Sequence, residues 1–138
     1  MKLQSVVTDN ITELLVKIIK FTRARQKILV RNINSVNIRG FKPKELSVGD
    51  FSSLLNNAIN EHIENRRLVL CDTENIKFGI GGSVEIKAVT DKFAQYVLKK
   101  SRNAYLELQI DKLMENSLNQ KIAAVLLRQK NTSFENSD

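Results

Sequence analysis

The chain has no tryptophan, one proline and one cysteine in 138 residues, and only 6% of it is aromatic. Each shortage excludes something. A single Cys71 cannot build an intrachain disulfide framework or a metal knuckle, and its expected state is an inert or partly buried thiol. A single Pro43 and five glycines leave long stretches in which nothing interrupts a helix, and the apolar content, mostly Leu, Ile, Val and Ala, favours helices over sandwiches. No run reaches the roughly 18 apolar residues of a membrane span, because Lys17, Lys20, Arg23 and Arg25 break the best stretch. Neither the apolar run nor the small-residue cleavage site of a secretory leader stands at the N-terminus, so no cleavable signal peptide is expected.

Chemistry is equally sparse. His62 is the one histidine, and no Ser-His-Asp or Cys-His arrangement can be assembled around it, so it is expected at the surface. The glycines of FGIGGSVEI (residues 78–86) are followed by no Lys-Ser or Lys-Thr pair and are expected to form a turn, not a phosphate loop. Glu61 and Glu64 fall on an exposed helix face. No catalytic residue, cofactor or metal ligand is expected, and the chain does not read as an enzyme.

What is present is charge of one sign, unevenly placed. The formal net charge is +7, and residues 1–42 alone carry nine basic and two acidic side chains. Residues 43–87 carry five and seven, and residues 88–138 eight and six. The surplus therefore sits on the N-terminal segment, where it suits nucleic acid, anionic lipid or an acidic protein partner.

The length fits a single domain, 1–138, mainly α. A first helix is expected over 8–36, capped by Thr8 or Asp9, with Ile11, Leu14, Leu15, Ile18, Ile19, Thr22, Gln26, Leu29, Ile33 and Val36 recurring at helical spacing. It would be about 40 Å long, with Lys17, Lys20, Arg23, Lys27 and Arg31 on a cationic outer face. Gly40 and Pro43 end it. The middle segment, 37–87, is irregular or weakly β: a short helix over 50–63, then extended runs at 68–70, 76–80 and 84–86 that suggest a short hairpin or an extended arm. A second long helix is expected over 88–128, its stripe running through Phe93, Val97, Ala104, Leu108, Met114, Leu118, Ile122 and Val125. A flexible tail, 129–138, would follow. Two long striped helices with little between them cannot cover their own apolar surface, which argues for self-assembly or a partner.

The segment RQKILVRNINSVNIRGFKPKEL (residues 25–46) resembles the N-terminal signature of the flagellar basal-body rod, hook and hook-associated family, in which a long helix ends in an Asn-Ile-Ala-Asn type sequence followed by Gly, an aromatic residue and Lys. Asn32, Ile33, Asn37, Gly40, Phe41 and Lys42 fall at the matching places. Asn34, Ser35, Val36, Ile38 and Arg39 stand where the family more often has Ala, Asn, Ala, Thr and Pro. SVEIKAVTDKFAQYVLKK (residues 83–100) is similar to the family's lead into its C-terminal helix, with Val84, Glu85, Ile86, Lys92, Phe93 and Ala94 corresponding. Tyr96 and Lys100 depart from it, and the helical pattern runs to Leu127, further than expected.

The spacing also makes physical sense alone. Gly40 can take a positive φ that stops the helix sharply, Phe41 can fold back beside Ile33 or Val36, and Asn32 and Asn37 can satisfy the groups freed at the helix end.

The resemblance, and the lack of a large inserted domain, imply a proximal rod type of subunit in the bacterial flagellum, exported by the type III pathway to the periplasmic rod. It would be a structural protein of the motility apparatus that transmits torque. Its terminal helices would pair as a coiled-coil-like hairpin and self-assemble through Ile11, Leu15, Ile18, Leu29 and Ile33 with Val97, Ala104, Leu108 and Leu118. Its partners would be other rod proteins, the basal adapter protein, the membrane ring and the export gate, with no small-molecule substrate. The alternative is a small basic helical nucleic-acid-binding protein using Lys20, Arg23, Lys27 and Arg31. No recognition module or interleaved aromatic residues support it.

Overall fold

The computed structural model describes residues 2–79 and 82–135. The chain is mainly helical. Its helices are α1 (Lys2–Asn34), α2 (Val48–Asn65), α3 (Lys92–Lys100) and α4 (Arg102–Glu135), and its strands are β1 (Lys44–Glu45), β2 (Ile76–Phe78), β3 (Val84–Ile86) and β4 (Val89–Thr90).

The first helix starts at Lys2 instead of near Thr8 and stops at Asn34 instead of Val36. No Gly or Pro precedes Thr8, so a polar residue able to cap does not by itself start the helix there. The stop is the expected one: two turns of irregular chain lead to Gly40, which holds φ +77°, with the Phe41 N–H donating to the Ile38 carbonyl at 3.1 Å.

The helix expected over 88–128 is two helices. Residues 89–90 pair as β4 with β1, so α3 opens only after Asp91, whose carboxylate accepts the Ala94 N–H at 3.0 Å. Ser101 then takes extended backbone (φ −156°, ψ 115°); its N–H closes α3 on the Val97 carbonyl, and its hydroxyl accepts the Ala104 N–H that opens α4. The supposed flexible tail is helical through Glu135, with residues 136–138 outside the described chain.

The middle segment is more ordered than expected. The short helix is longer at both ends, and β2 pairs antiparallel with β3, Ile76 facing Ile86 and Phe78 facing Val84. Residues 68–70 form no strand, and Ile80, the expected end of the second run, lies outside the described residues. Alternate β2 and β3 side chains point at α1 and α2. There Phe21, Leu46, Phe51, Leu54 and Ile76 make the apolar core, with Phe21 and Phe51 stacked at 4.0 Å between ring centroids and 4° between planes.

That core lies between α1, α2 and the hairpin. Helix α4 meets α1 on another side, through hydrogen bonds from Tyr105 to the Asn32 carbonyl (2.9 Å) and from Asn116 to the Thr22 carbonyl (2.7 Å). Among the described residues, no helix is long and apolar enough to cross a membrane.

Candidate functional site

The corner that follows α1 is held by its first asparagine. Asn32 is buried, and its Nδ2 donates to the Lys44 carbonyl (2.8 Å) and to Gln109 Oε1 (3.0 Å), while its Oδ1 accepts the Lys44 N–H (3.1 Å). The amide thus pairs with the backbone of β1 as a neighbouring strand would and ties α4 to the same point. It does not satisfy the freed groups of its own helix end, which was the expected role. Pro43, fully buried, sends its carbonyl to the Asp91 N–H at 2.9 Å, so the chain after Gly40 is clamped against the start of α3. Of the other family-type positions, Ile33 and Phe41 are half-buried, and Asn37, Gly40 and Lys42 are exposed. Asn37 has no hydrogen bond in this corner.

A charge knot below the corner was not legible from spacing. Arg25 Nε and Nη2 each donate to a different Glu45 oxygen at 3.1 Å; Lys112 lies 3.2 Å from Glu45 and 2.9 Å from Asp91. Two cations and two carboxylates from α1, β1, the α3 cap and α4 thus neutralise one another in a partly shielded cluster in which only Arg25 is buried. Burial works against the Asp91 charge, but the Ala94 amide and Lys112 outweigh it, and the carboxyl lies below its ordinary value. Burial first, and then the Asp91 charge, pushes the Tyr105 hydroxyl up to about 12. Gln109 is fully buried, and its Nε2 has no hydrogen-bond partner among the described residues.

Several expected surface groups are inside. His62 is buried near the end of α2, with Asn10 Nδ2 3.4 Å from its Nδ1, because α1 passes that end at Asn10, which also reaches the Arg66 carbonyl. Lys17 is only 3% exposed; with Lys20 it donates to the Gly82 carbonyl, and Glu13 pairs with it at 2.8 Å. Those lysines fasten the hairpin turn, where Gly82 has φ +79°, while Gly81 lies outside the described residues. Arg25 is buried in the knot, and Gln26, expected on the apolar stripe, is exposed. The Cys71 thiol is exposed, not partly buried, because residues 70–72 lie in no element. Glu61 is held by Arg67 and Asn65, whose hydrogen bonds lower its carboxyl. Among the described residues, no group of three or more His, Cys, Asp or Glu side chains could hold a metal ion.

The packing residues divide. Leu15 and Leu29 are buried, and Ile11, Ile18, Ile33, Val97 and Leu108 are half-buried, but Ala104 and Leu118 point to solvent. The reason is the rotation of α4. Its inward face carries Tyr105, Gln109, Asn116 and Ala123, so its apolar row Ile110, Met114, Leu118, Ile122 and Leu126 is left outside, with Met114 67% and Leu118 58% exposed. A groove of about 350 Å³ between α1, α2 and α4 joins that row at one end, lined by Ile18, Phe21, Phe51, Leu55, Ile122 and Leu126. The arrangement offers long apolar contact to another helix.

Compared with family models, curated proteins and solved structures, the chain has no match.

Proposed function

We propose that this chain is a structural subunit of the proximal flagellar rod that assembles by side-by-side helix packing and transmits torque. The observation that carries this is the outward apolar row of α4, whose side chains the described chain leaves 45% to 67% exposed. Left wet, such a row costs solubility; covered by a helix of a neighbour, each half-exposed side chain contributes about 1–2 kcal/mol. In this proposal α1 and α4 act as a coiled-coil-like hairpin. The Asn32, Tyr105 and Asn116 hydrogen bonds set its register, and the corner from Asn32 to Lys42 turns the chain back toward α4. The rod family's resemblance at Asn32, Ile33, Asn37, Gly40, Phe41 and Lys42 supplies the identity of the assembly. With it come other rod proteins, the basal adapter, the membrane ring and the export gate as partners, and type III export as the route to the periplasmic rod.

The test is to tag the chain in its own cell and purify basal bodies. Recovery of the chain in the rod, and loss of rods on deletion, are expected; intact rods in the deletion strain would refute the assignment. The exposed cations Arg23, Lys27 and Arg31 favour a second reading, phosphate binding along α1. A gel shift on random duplex separates the two, since tight, salt-sensitive binding belongs only to the nucleic-acid protein.

A further inference from the structure

Helices α1 and α4 each carry a row of like charges at the same spacing. On α1 the row is Arg23, Lys27 and Arg31; on α4 it is Glu107, Asp111 and Glu115. All six side chains are exposed, and none has a hydrogen bond or ion pair among the described residues. Elsewhere the chain pairs its charges readily, as with Glu13 and Lys17, Arg25 and Glu45, or Asp91 and Lys112. Steps of four residues keep each row on one side of its helix over about 12 Å.

The rows cannot meet within one molecule. Residues 107 and 111 lie roughly half a turn round α4 from Gln109 and Asn116, the side chains that face α1, and Glu115, about a third of a turn away, stands at the rim of the groove between α1, α2 and α4. Residues 23, 27 and 31 lie likewise on the side of α1 away from its buried Arg25 and Leu29. Beside the acidic row run Ile110, Met114 and Leu118; beside the basic row stands exposed Val30. The outer face of α4 is therefore an apolar strip flanked by acidic side chains, and that of α1 a basic row beside a single exposed apolar side chain, Val30.

We infer that the outer face of α1 in one copy docks on the outer face of α4 in a second copy, pairing Arg23, Lys27 and Arg31 with Glu107, Asp111 and Glu115. The inference rests on the self-assembly proposed above and names its contact. Because the two faces differ, the contact is head-to-tail, and each added copy presents a fresh face, so it propagates instead of closing as a two-fold dimer. Charge complementarity selects the second copy as occupant. Like-charged rows placed opposite each other repel, so α1 on α1 and α4 on α4 are both disfavoured.

The test uses the full chain and two triple reversals, R23E/K27E/R31E and E107K/D111K/E115K, followed by sedimentation velocity at low salt. All six positions are solvent-facing and unpaired, so both variants should keep the wild-type far-UV circular dichroism. The wild type is expected to associate with concentration and to weaken in about 1 M salt. Each reversal alone should raise the dissociation constant about tenfold or more, and an equimolar mixture of the two should recover association, because each now offers what the other lacks. Association of the single reversals at wild-type strength, or a folded mixture that does not recover, overturns the inference while leaving assembly through the apolar row intact. A wild type that stays monomeric throughout removes self-assembly as well. If that monomer also binds duplex DNA through the α1 row, its partner is a polyanion.

Discussion

The two sides of α4 are built the wrong way round for a helix that closes a monomer's core. Facing α1 are Tyr105, Gln109 and Asn116, buried and bonded to the Asn32 carbonyl, the Asn32 amide and the Thr22 carbonyl. Facing water are Ile110, Met114, Leu118, Ile122 and Leu126. The difference teaches a division of labour. Polar side chains inside contribute little net energy but large penalties when misplaced, so they fix the register of α4 on α1. Apolar side chains outside contribute only when something covers them.

The comparison breaks most severely at Asn32. Asn32→Ala strands the Lys44 N–H and carbonyl and the Gln109 amide in a buried corner, and a loss of roughly 3 kcal/mol is expected in denaturant unfolding. A loss under about 1 kcal/mol would mean that water reaches the corner and that the inner face does not set the register.

Gly40 tests the same corner by backbone alone. Its φ is +77°, and a Cβ there would meet nothing within 4 Å, so the cost of Gly40→Val is conformational, about 2 kcal/mol, with Gly40→Ala costing less. If the chain is a rod subunit, as proposed, the Val variant should still be secreted yet fail to assemble in cells. Normal rods in that strain would show the corner to be dispensable.

Much of this was legible in the chain. The apolar period of α1 and the stop at Gly40, the helix around Phe51 and Leu54, and the runs that pair as β2 and β3 all follow from local pattern. The two-residue strands β1 and β4 are too short for any period to mark. Ser101 interrupts a helical pattern with no Gly or Pro; the one local signal was a Ser able to accept the Ala104 N–H. The rotation of α4 does not follow from the sequence, because apolar residues line more than half of its circumference and period alone cannot choose a face. The polar groups that do choose it lie 73 to 94 residues from their partners on α1. The burial of His62 beside Asn10, and the knot joining Arg25 to Glu45, Lys112 and Asp91, are likewise long-range facts.

A smaller effect separates charge from shape on the inner side. Because the folded protein holds the Asp91 carboxyl below its ordinary value, this group contributes stability above the unfolded pKa of about 3.9, and that contribution disappears as pH falls through the lowered folded value. Asp91→Asn keeps a capping oxygen for the Ala94 N–H but removes the charge facing Lys112. Its unfolding midpoint should therefore fall less steeply than the wild type's below about pH 4. Parallel curves would mean that the knot holds α4 by hydrogen bonding alone.

The smallest effect on the monomer is expected on the outer side, where it sharpens the contrast most. Leu118 is 58% exposed and belongs to neither the core nor the α1 seam, so Leu118→Ser should shift monomer stability by no more than about 0.5 kcal/mol. If the row is the assembly face, the same change should weaken association by about 1.5 kcal/mol or more, tenfold in dissociation constant, because the side chain is buried only between copies. A destabilised monomer would place Leu118 in intramolecular packing, and unchanged association would leave the apolar row of α4 without a role. Asn116→Ala should show the opposite pattern: its bond to the Thr22 carbonyl is internal, so its loss falls on the monomer first.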